Sequence, residues 1–248
     1  MRTTFLVIFT LLSTIAFSQE TNKNDDKGQR HGLWKGIYDD TKYPRYEGTF
    51  DHGKEVGVFK YFDNTKATVV IATRDFSAND GSNYTVFFDQ KGNKVSEGKI
   101  VGREYEGEWK YYHKGGKEIM TLEYYSNGKL NGTRKAFYPN KAVAEEIQYV
   151  NGVKQGMYKK YSDKGVVIEE TTYVNNLFDG PSVYRNSKNE IITKGQFKKG
   201  QKSGIWKFYE NNKLVKEVNA AKINDVTFKI RTDTDGKKKP TELKSKTN

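Results

Sequence analysis

The sequence predicts an all-β protein in which tandem β-hairpin repeats form an elongated, single-layer antiparallel meander. A glycine-and-aromatic pattern recurs every 24 to 26 residues, which is a signature of a repeat architecture. Apolar residues within each copy alternate with a period of two, as they do in β-strands. The chain also has 23 glycines, 17 tyrosines and only 4 prolines, a composition that favours a thin β structure with many turns.

The N-terminal segment, residues 1–18, has the pattern of a secretory signal peptide. An apolar run covers residues 5–12, and Ala16 and Ser18 are the small residues suited to cleavage before Gln19. The run is too short for a bilayer core of roughly 30 Å, and no later stretch is apolar enough to be a transmembrane segment. Because the chain has no cysteine, we expect an exported bacterial protein, periplasmic or extracellular at the cell surface.

The repeats follow a polar lead-in, residues 19–30, which we expect to be disordered over Gln19–Gln29. We define an anchor position, usually glycine, that an aromatic residue follows two positions later in the clearest units. Phe59, Trp109, Tyr158 and Trp206 are these aromatic residues. The intervals between anchors are 25, 26, 24, 25, 24, 24 and 24 residues, so about eight units occupy residues 31–219. The anchors are Gly32, Gly57, Asn83, Gly107, Gly132, Gly156, Gly180 and Gly204.

A second position confirms the same spacing along the sequence. Seven residues before each anchor from the second onward lies a bulky apolar residue, which we call the apolar landmark. Turn sequences such as Asn127-Gly128 separate landmark and anchor, and both residue types tolerate a positive φ. Asn83 replaces glycine at the third anchor, and asparagine is the next most tolerant residue. The landmarks are Phe50, Phe76, Ile100, Tyr125, Tyr149, Tyr173 and Phe197.

Two segments carry a family resemblance. Tyr46–Gly57 (YEGTFDHGKEVG) and Lys194–Trp206 (KGQFKKGQKSGIW) closely resemble the MORN repeat, the membrane occupation and recognition nexus, in its bacterial variant form. The resemblance covers Gly32 to Val218. It implies the hairpin fold and a role in lipid binding, protein binding or scaffolding, and bacterial variants are often labelled antitoxin-like.

The C-terminal segment, residues 220–248, differs in kind from the repeats. Asp225–Arg231 alternates well enough to be a capping strand that closes the array. A basic tail follows, beginning at Lys237-Lys238-Lys239, and we expect it to be disordered.

Charge and exposed tyrosines indicate a binding function. The net charge is +12, or +11 once Arg2 leaves with the signal peptide, so a lipid headgroup or an acidic glycan is a candidate anionic surface partner. A protein partner, including an immunity-type partner, is the alternative, and no nucleic acid is expected. If one face of the sheet is packed with aromatic rings, the second face is free, and Tyr112, Tyr138 and Tyr209 are its predicted ligand-facing residues.

No residue pattern predicts an enzyme, a cofactor or a metal. His31, His52 and His113 fall near turns of different units, without the spacing of a zinc site or a neighbouring nucleophile motif. The pairs Glu145-Glu146 and Glu169-Glu170 occupy the same slot of successive units, two strands apart, at roughly 10 Å by strand spacing. We interpret them as exposed glutamates paired with lysines, although an inverting glycosidase pair is the alternative.

Overall fold

The computed structural model describes residues 20–220 and the backbone of Lys229–Thr232 and Lys238–Thr241. The predicted signal peptide lies outside the described residues. Nineteen strands form one open antiparallel sheet, in which each strand pairs with its neighbours in the chain. The described residues contain no α-helix. The predicted all-β hairpin meander is therefore confirmed.

The nineteen strands correspond to sixteen long strands that follow a short first strand, β1. The count is higher because two of the long strands are interrupted: β10 and β11 are parts of one strand, and β15 and β16 are parts of another. Sixteen is the number that eight hairpins require. The bounds are β1 (Lys23–Asn24), β2 (Arg30–Ile37), β3 (Pro44–Asp51), β4 (Lys54–Phe62), β5 (Val70–Asp75), β6 (Ser82–Phe88), β7 (Lys94–Val101), β8 (Glu104–Tyr112), β9 (Ile119–Ser126), β10 (Lys129–Leu130), β11 (Gly132–Phe137), β12 (Val143–Val150), β13 (Val153–Tyr161), β14 (Val167–Val174), β15 (Leu177–Phe178), β16 (Gly180–Arg185), β17 (Ile191–Lys198), β18 (Gln201–Glu210) and β19 (Lys213–Asn219).

The two sequence landmarks are cross-strand partners. Gly107 lies opposite Tyr125 in the β8–β9 pair, and Gly156 lies opposite Tyr173 in the β13–β14 pair. The same pairing of anchor and landmark recurs in the other units, although in the second unit it consists of the hydrogen bond from Phe76 N to Gly57 O. The separation of 17 to 19 residues between an anchor and its partner landmark is therefore the length of one hairpin.

The anchor glycines mark bulges. In the β7–β8 pair, Gly98 faces Trp109 while Lys99 faces Glu106, so Gly107 and Glu108 are two extra residues in β8. A glycine at φ +66° allows this excursion. The same shift of two residues occurs at the anchors of units two, five, six, seven and eight. Since two is an even number, alternation resumes with every side chain on its original face.

Asn83 does not behave as the other anchors do. Its φ is not positive, and it lies within the regular part of β6, opposite Ile100. The left-handed glycine of this unit is Gly81, just before the strand, at φ +79°. The expectation that Asn83 replaces a left-handed glycine is therefore wrong, whereas Asn176 does adopt φ +68°.

One face of the sheet is packed with aromatic rings, and we call it the aromatic face. Its most buried residues are Trp109, Phe59 and Trp206, which are 0 to 1% exposed although only one layer of sheet is present. Neighbouring rings cover them. Tyr105 stacks on Trp109 with centroids 3.7 Å apart, and Phe50 meets Phe59 edge-on at 5.2 Å. Rings from the same strand, as at Tyr105, and from the adjacent strand, as at Phe50, thus supply burial that a second layer provides in a sandwich.

A glycine lies beneath each of these three rings. A Cβ on Gly48, Gly98 or Gly195 would come within 2.3 to 2.4 Å of the facing ring. These glycines do not have positive φ, so proximity to the ring is what excludes a side chain. Packing against a ring therefore explains why glycine occurs in Glu47-Gly48-Thr49-Phe50 and in Lys194-Gly195-Gln196-Phe197.

Both ends of the array differ from the sequence expectation. The lead-in is ordered over residues 20–29, because the side-chain amide of Asn22 bonds to Lys35 N (2.7 Å) and Lys35 O (3.1 Å) and so covers the outer edge of β2. At the other end, strand β20 (Lys229–Thr232) pairs with β21 (Lys238–Thr241) in a separate two-stranded sheet and not with β19. Residues 225–228 and most of the basic tail lie outside the described residues.

We expect Gly98→Ala to lower the free energy of unfolding by about 1–3 kcal/mol, because the new methyl group overlaps the Trp109 ring. Val95→Ala in the same strand is the control, since Val95 is 45% exposed and its loss should cost within about 0.5 kcal/mol. Urea denaturation followed by tryptophan fluorescence measures both. Equal stability of the two variants would contradict the packing role.

At the anchor Gly107, a methyl group added at Cα would have no neighbouring atom within 4 Å, so φ alone restricts the residue. Gly107→Ala should therefore lose about 1–2 kcal/mol, and Gly107→Asn should lose less because asparagine tolerates the left-handed region. The urea midpoints of the two variants measure this difference in stability. If alanine were as stable as asparagine, the bulge would not depend on a left-handed residue.

Candidate functional site

The face opposite the aromatic rings carries one row of residues that crosses every long strand, and twelve of its sixteen members are lysine or glutamate. We call this row the charged ladder. Each member lies directly opposite the next in the strand pairing, so the row continues without a break. Its members are Lys35, Glu47, Lys60, Thr73, Val86, Glu97, Lys110, Leu122, Lys135, Glu146, Lys159, Glu170, Val183, Lys194, Lys207 and Glu217.

Ion pairs run along the charged ladder. Lys60 Nζ lies 3.0 Å from Glu47, Lys135 lies 3.0 Å from Glu146, and Lys207 lies 3.1 Å from Glu217. These side chains are one-quarter to one-half exposed, so water screens each pair and the pair contributes little to stability. The ladder is therefore mainly a pattern of charge presented to solvent.

Exposed apolar residues flank the charged ladder on both sides. On the anchor side, Val58 and Ile205 are 53% and 47% exposed, and each precedes a ladder lysine by two residues, which places it on the same face. Tyr84 and Met157 occupy the same position in other units. On the tip side stand Val95, Met120, Ile192 and Val215, each two residues before a ladder member and 42 to 54% exposed. A charged stripe thus lies between two apolar stripes.

The tip-side stripe has a backbone cause. In every unit the strand pairing shifts by one residue between the fourth and the fifth residue after the anchor. After Gly107, for example, the shift lies between Tyr111 and Tyr112. In four of the eight units the extra residue on the facing strand is the exposed apolar one, for example Met120 in β9. Such a bulge pushes its residue outward, which explains why large apolar side chains are exposed there.

Two of the three predicted ligand-facing tyrosines lie beside the charged ladder. The Tyr112 hydroxyl donates a hydrogen bond to the Glu97 carboxylate, and Lys194 Nζ lies 5.4 Å from the centre of the Tyr209 ring. Tyr161 stands in the same slot, five residues after its anchor, and donates to Glu146 at 2.7 Å. Sequence reasoning missed Tyr161, and the signal that identifies it is its offset from Gly156.

Tyr138 lies elsewhere, because it follows its anchor by six residues. Its hydroxyl donates a hydrogen bond to the backbone oxygen of Tyr161 at 2.8 Å. In the first unit, the Tyr38 hydroxyl donates to the backbone oxygen of Phe62 at 2.7 Å in the same way. His113 Nε2 contacts Phe137 O at 3.0 Å in the equivalent place. These contacts tie the tips of successive hairpins together, so the Tyr138 hydroxyl is engaged in the fold.

The glutamate pairs are separated by lysines. Lys159 lies between Glu146 and Glu170 on the charged ladder, and Lys160 lies between Glu145 and Glu169 on the aromatic face. On the aromatic face, Arg134 also bonds to Glu145 at 3.1 Å. Burial raises the pKa of Glu169 above its usual value, with Glu145 as a further cause. The arrangement resembles an ion-pair network more than two carboxylates that share an open cleft.

Tyr112 and Tyr161, which lie beside the charged ladder, resist ionisation. Burial and the hydrogen bond to the Glu146 carboxylate raise the pKa of Tyr161 to about 12. Burial and the hydrogen bond to Glu97 likewise raise the pKa of Tyr112. Burial raises the pKa of Tyr125 and Tyr158 on the aromatic face for similar reasons. A tyrosinate is disfavoured at each place because it would be desolvated beside a carboxylate.

Comparisons with known proteins identify no relative. No family model matches the chain, and no curated protein matches it. Across the described residues, no helix has the length and apolar character needed to cross a bilayer.

The raised tyrosine pKa values predict alkaline unfolding. A folded-state pKa above the unfolded value of about 10 contributes stability that is present below pH 10 and is lost as pH rises toward 12. Tyrosinate absorbance should therefore appear together with loss of the β-sheet circular dichroism signal. In Tyr161→Phe, which cannot ionise at this position, that transition should shift to higher pH. Full tyrosine titration near pH 10 in a sheet that stays folded would contradict this.

Proposed function

We propose that the protein is an exported, non-enzymatic scaffold of the MORN type, which binds a protein partner along the charged ladder. The observation that carries the proposal is the charged ladder, in which runs of alternating lysine and glutamate lie beside exposed apolar residues on both sides. Protein interfaces combine apolar contact area with complementary charge, and this face offers both in a fixed register.

The alternation of sign favours a protein over a uniform anionic surface. Lys35, Glu47 and Lys60 stand opposite one another in turn, and Lys135, Glu146 and Lys159 repeat the order. A membrane or polyanion would be repelled by the glutamates. A protein surface can present matching charges at each step, so the ladder would determine the register of the partner as well as its affinity.

The face is large enough for a stable complex. Fifteen strand-to-strand steps of about 4.8 Å give it a length of roughly 70 Å, and five residues of strand give a width of roughly 16 Å. The resulting area, on the order of 1,000 Å², exceeds the roughly 800 Å² that each partner contributes to a standard interface. An immunity-type partner, as suggested by the antitoxin-like resemblance, is one protein that such a face would accommodate.

An anionic surface is the second candidate, and one feature of the last two units favours it. Lys194 lies directly opposite Lys207, the one step of the ladder where two lysines face each other. Both line a shallow cavity of about 320 Å³ beside Gly195 and Gly204. Like charges placed opposite each other are unfavourable, and Glu217, 3.1 Å from Lys207, offsets only part of this repulsion. A phosphate or carboxylate group of a lipid or acidic glycan would offset the rest.

We test the proposal with two variants of equal net charge. The ladder variant removes three charges from the charged ladder and is Lys60→Gln/Lys135→Gln/Lys159→Gln. The tip variant removes three charges at hairpin tips and is Lys91→Gln/Lys114→Gln/Lys164→Gln. We expect a protein captured from the native cell envelope by the immobilised wild-type chain to be lost from the ladder variant by about 10-fold or more. The tip variant should retain it. Melting temperatures establish that both variants are folded.

Vesicles of phosphatidylglycerol and of phosphatidylcholine form the second arm. Binding to the anionic vesicles alone, weakened equally by both variants and by salt, would replace the protein partner with an anionic surface. Partner capture that the ladder variant retains in full would contradict the proposed binding face.

A further inference from the structure

The N-terminal end of the sheet brings together two histidines that are far apart in sequence. Gly32 pairs with Phe50 in the β2–β3 hairpin, so continuing the antiparallel register by one residue places His31 opposite Asp51. His52 follows in the tight turn between β3 and β4, at φ +45°. The imidazole rings of His31 and His52 are 4.7 Å apart between centroids.

Three potential ligand atoms converge there. The Nδ1 of His31 lies 3.6 Å from Asp51 Oδ1, and the Nε2 of His52 lies 3.9 Å from the same oxygen. One donor atom from each of the three residues lies within 4.8 Å of the others. Ligands of a tetrahedral zinc ion are about 3.3 Å apart when each bond is about 2 Å. Small side-chain rotations of these exposed residues would therefore bring all three atoms to bonding distance.

Asp25 orients His52 from the other side. Its Oδ2 lies 2.5 Å from Nδ1 of His52, and its Oδ1 accepts the backbone N–H groups of Lys27 (2.9 Å) and Gln29 (2.8 Å). The Asp25 side chain is only 9% exposed, whereas that of His52 is 63% exposed. A carboxylate held in this way keeps the proton on Nδ1 and leaves the Nε2 lone pair free. Metal-binding histidines in proteins nearly always have such a carboxylate or carbonyl partner.

His31 also presents a lone pair toward the site. The backbone N–H of His52 donates to Nδ1 of His31 at 3.5 Å, which is long for a hydrogen bond. Nδ1 is therefore the acceptor nitrogen of the ring in this arrangement. A cation would replace this weak hydrogen bond with a stronger contact.

We propose that His31, Asp51 and His52 bind a divalent transition-metal ion, with Asp25 as a positioning residue. Two imidazoles and one carboxylate suit Zn²⁺, with a fourth position open to water. The ion would connect β2, the β3–β4 turn and the Asp25 turn, and would thereby fasten the first edge of the sheet. Spacing along the chain indicated no metal because the ligands meet only through the hairpin register.

The test uses the untagged chain that begins at Gln19, stripped with a chelator and titrated with Zn²⁺ by calorimetry. We expect one ion per chain and a rise in melting temperature with Zn²⁺ concentration, because the ion binds the folded state. Asp25→Asn, which can still accept the two backbone N–H groups, should weaken binding by about 10–100-fold. His31→Gln and Asp51→Asn should weaken it further.

Two more variants make the assignment specific. His52→Asn tolerates the left-handed conformation at this position and should lose most of the Zn²⁺ affinity while its metal-free melting temperature stays close to wild type. His113→Gln removes the third histidine, remote from the site, and should bind as the wild type does. The visible spectrum of bound Co²⁺ reports nitrogen and oxygen ligation independently. The absence of saturable binding, or equal binding by His52→Asn and the wild type, would overturn the proposal.

Discussion

The structure depends on one constraint: strands joined in sequence pair in a register that keeps two chemically different faces separate. Each anchor bulge inserts two residues, and an even insertion preserves the alternation of side chains. An insertion of one residue would place Trp109 on the charged side and Lys110 among the rings. The left-handed glycine at the anchor, as at Gly107, is what makes the two-residue excursion possible.

The aromatic face then compensates for the lack of a second layer. Because no second layer of the described residues packs on this sheet, each central ring has to be covered by its neighbours. Gly48, Gly98 and Gly195 let the rings lie flat against the backbone. Phe50 and Phe197 cover two of them from adjacent strands, and Tyr105 covers Trp109 from the same strand. The ladder face needs less cover, since twelve of the sixteen ladder members are charged.

The sequence predicted the parts of the fold that repeat. The hairpin length, the anchors and the landmarks all follow from periodicity, and the structure pairs them across strands. The sequence did not show which glycines are left-handed and which lie under a ring, since Gly57 and Gly98 look alike in the bare sequence. Tyr138 and Tyr161 differ by a single residue in their offset from the anchor, and because the one-residue bulge lies at the same place in both units, this offset decides which of them lies beside the ladder. His31 and Asp51 become neighbours only when the register is known.

The local pairing of the strands has an evolutionary consequence. Every hairpin of the described sheet pairs only with the one before and the one after it, and every unit repeats the one-residue shift near its tip. Duplication or loss of one whole unit within the gene would therefore lengthen or shorten the molecule by one step without disturbing the remaining contacts. The number of units would set the length of the molecule, and selection could adjust that length to the dimensions of the proposed partner.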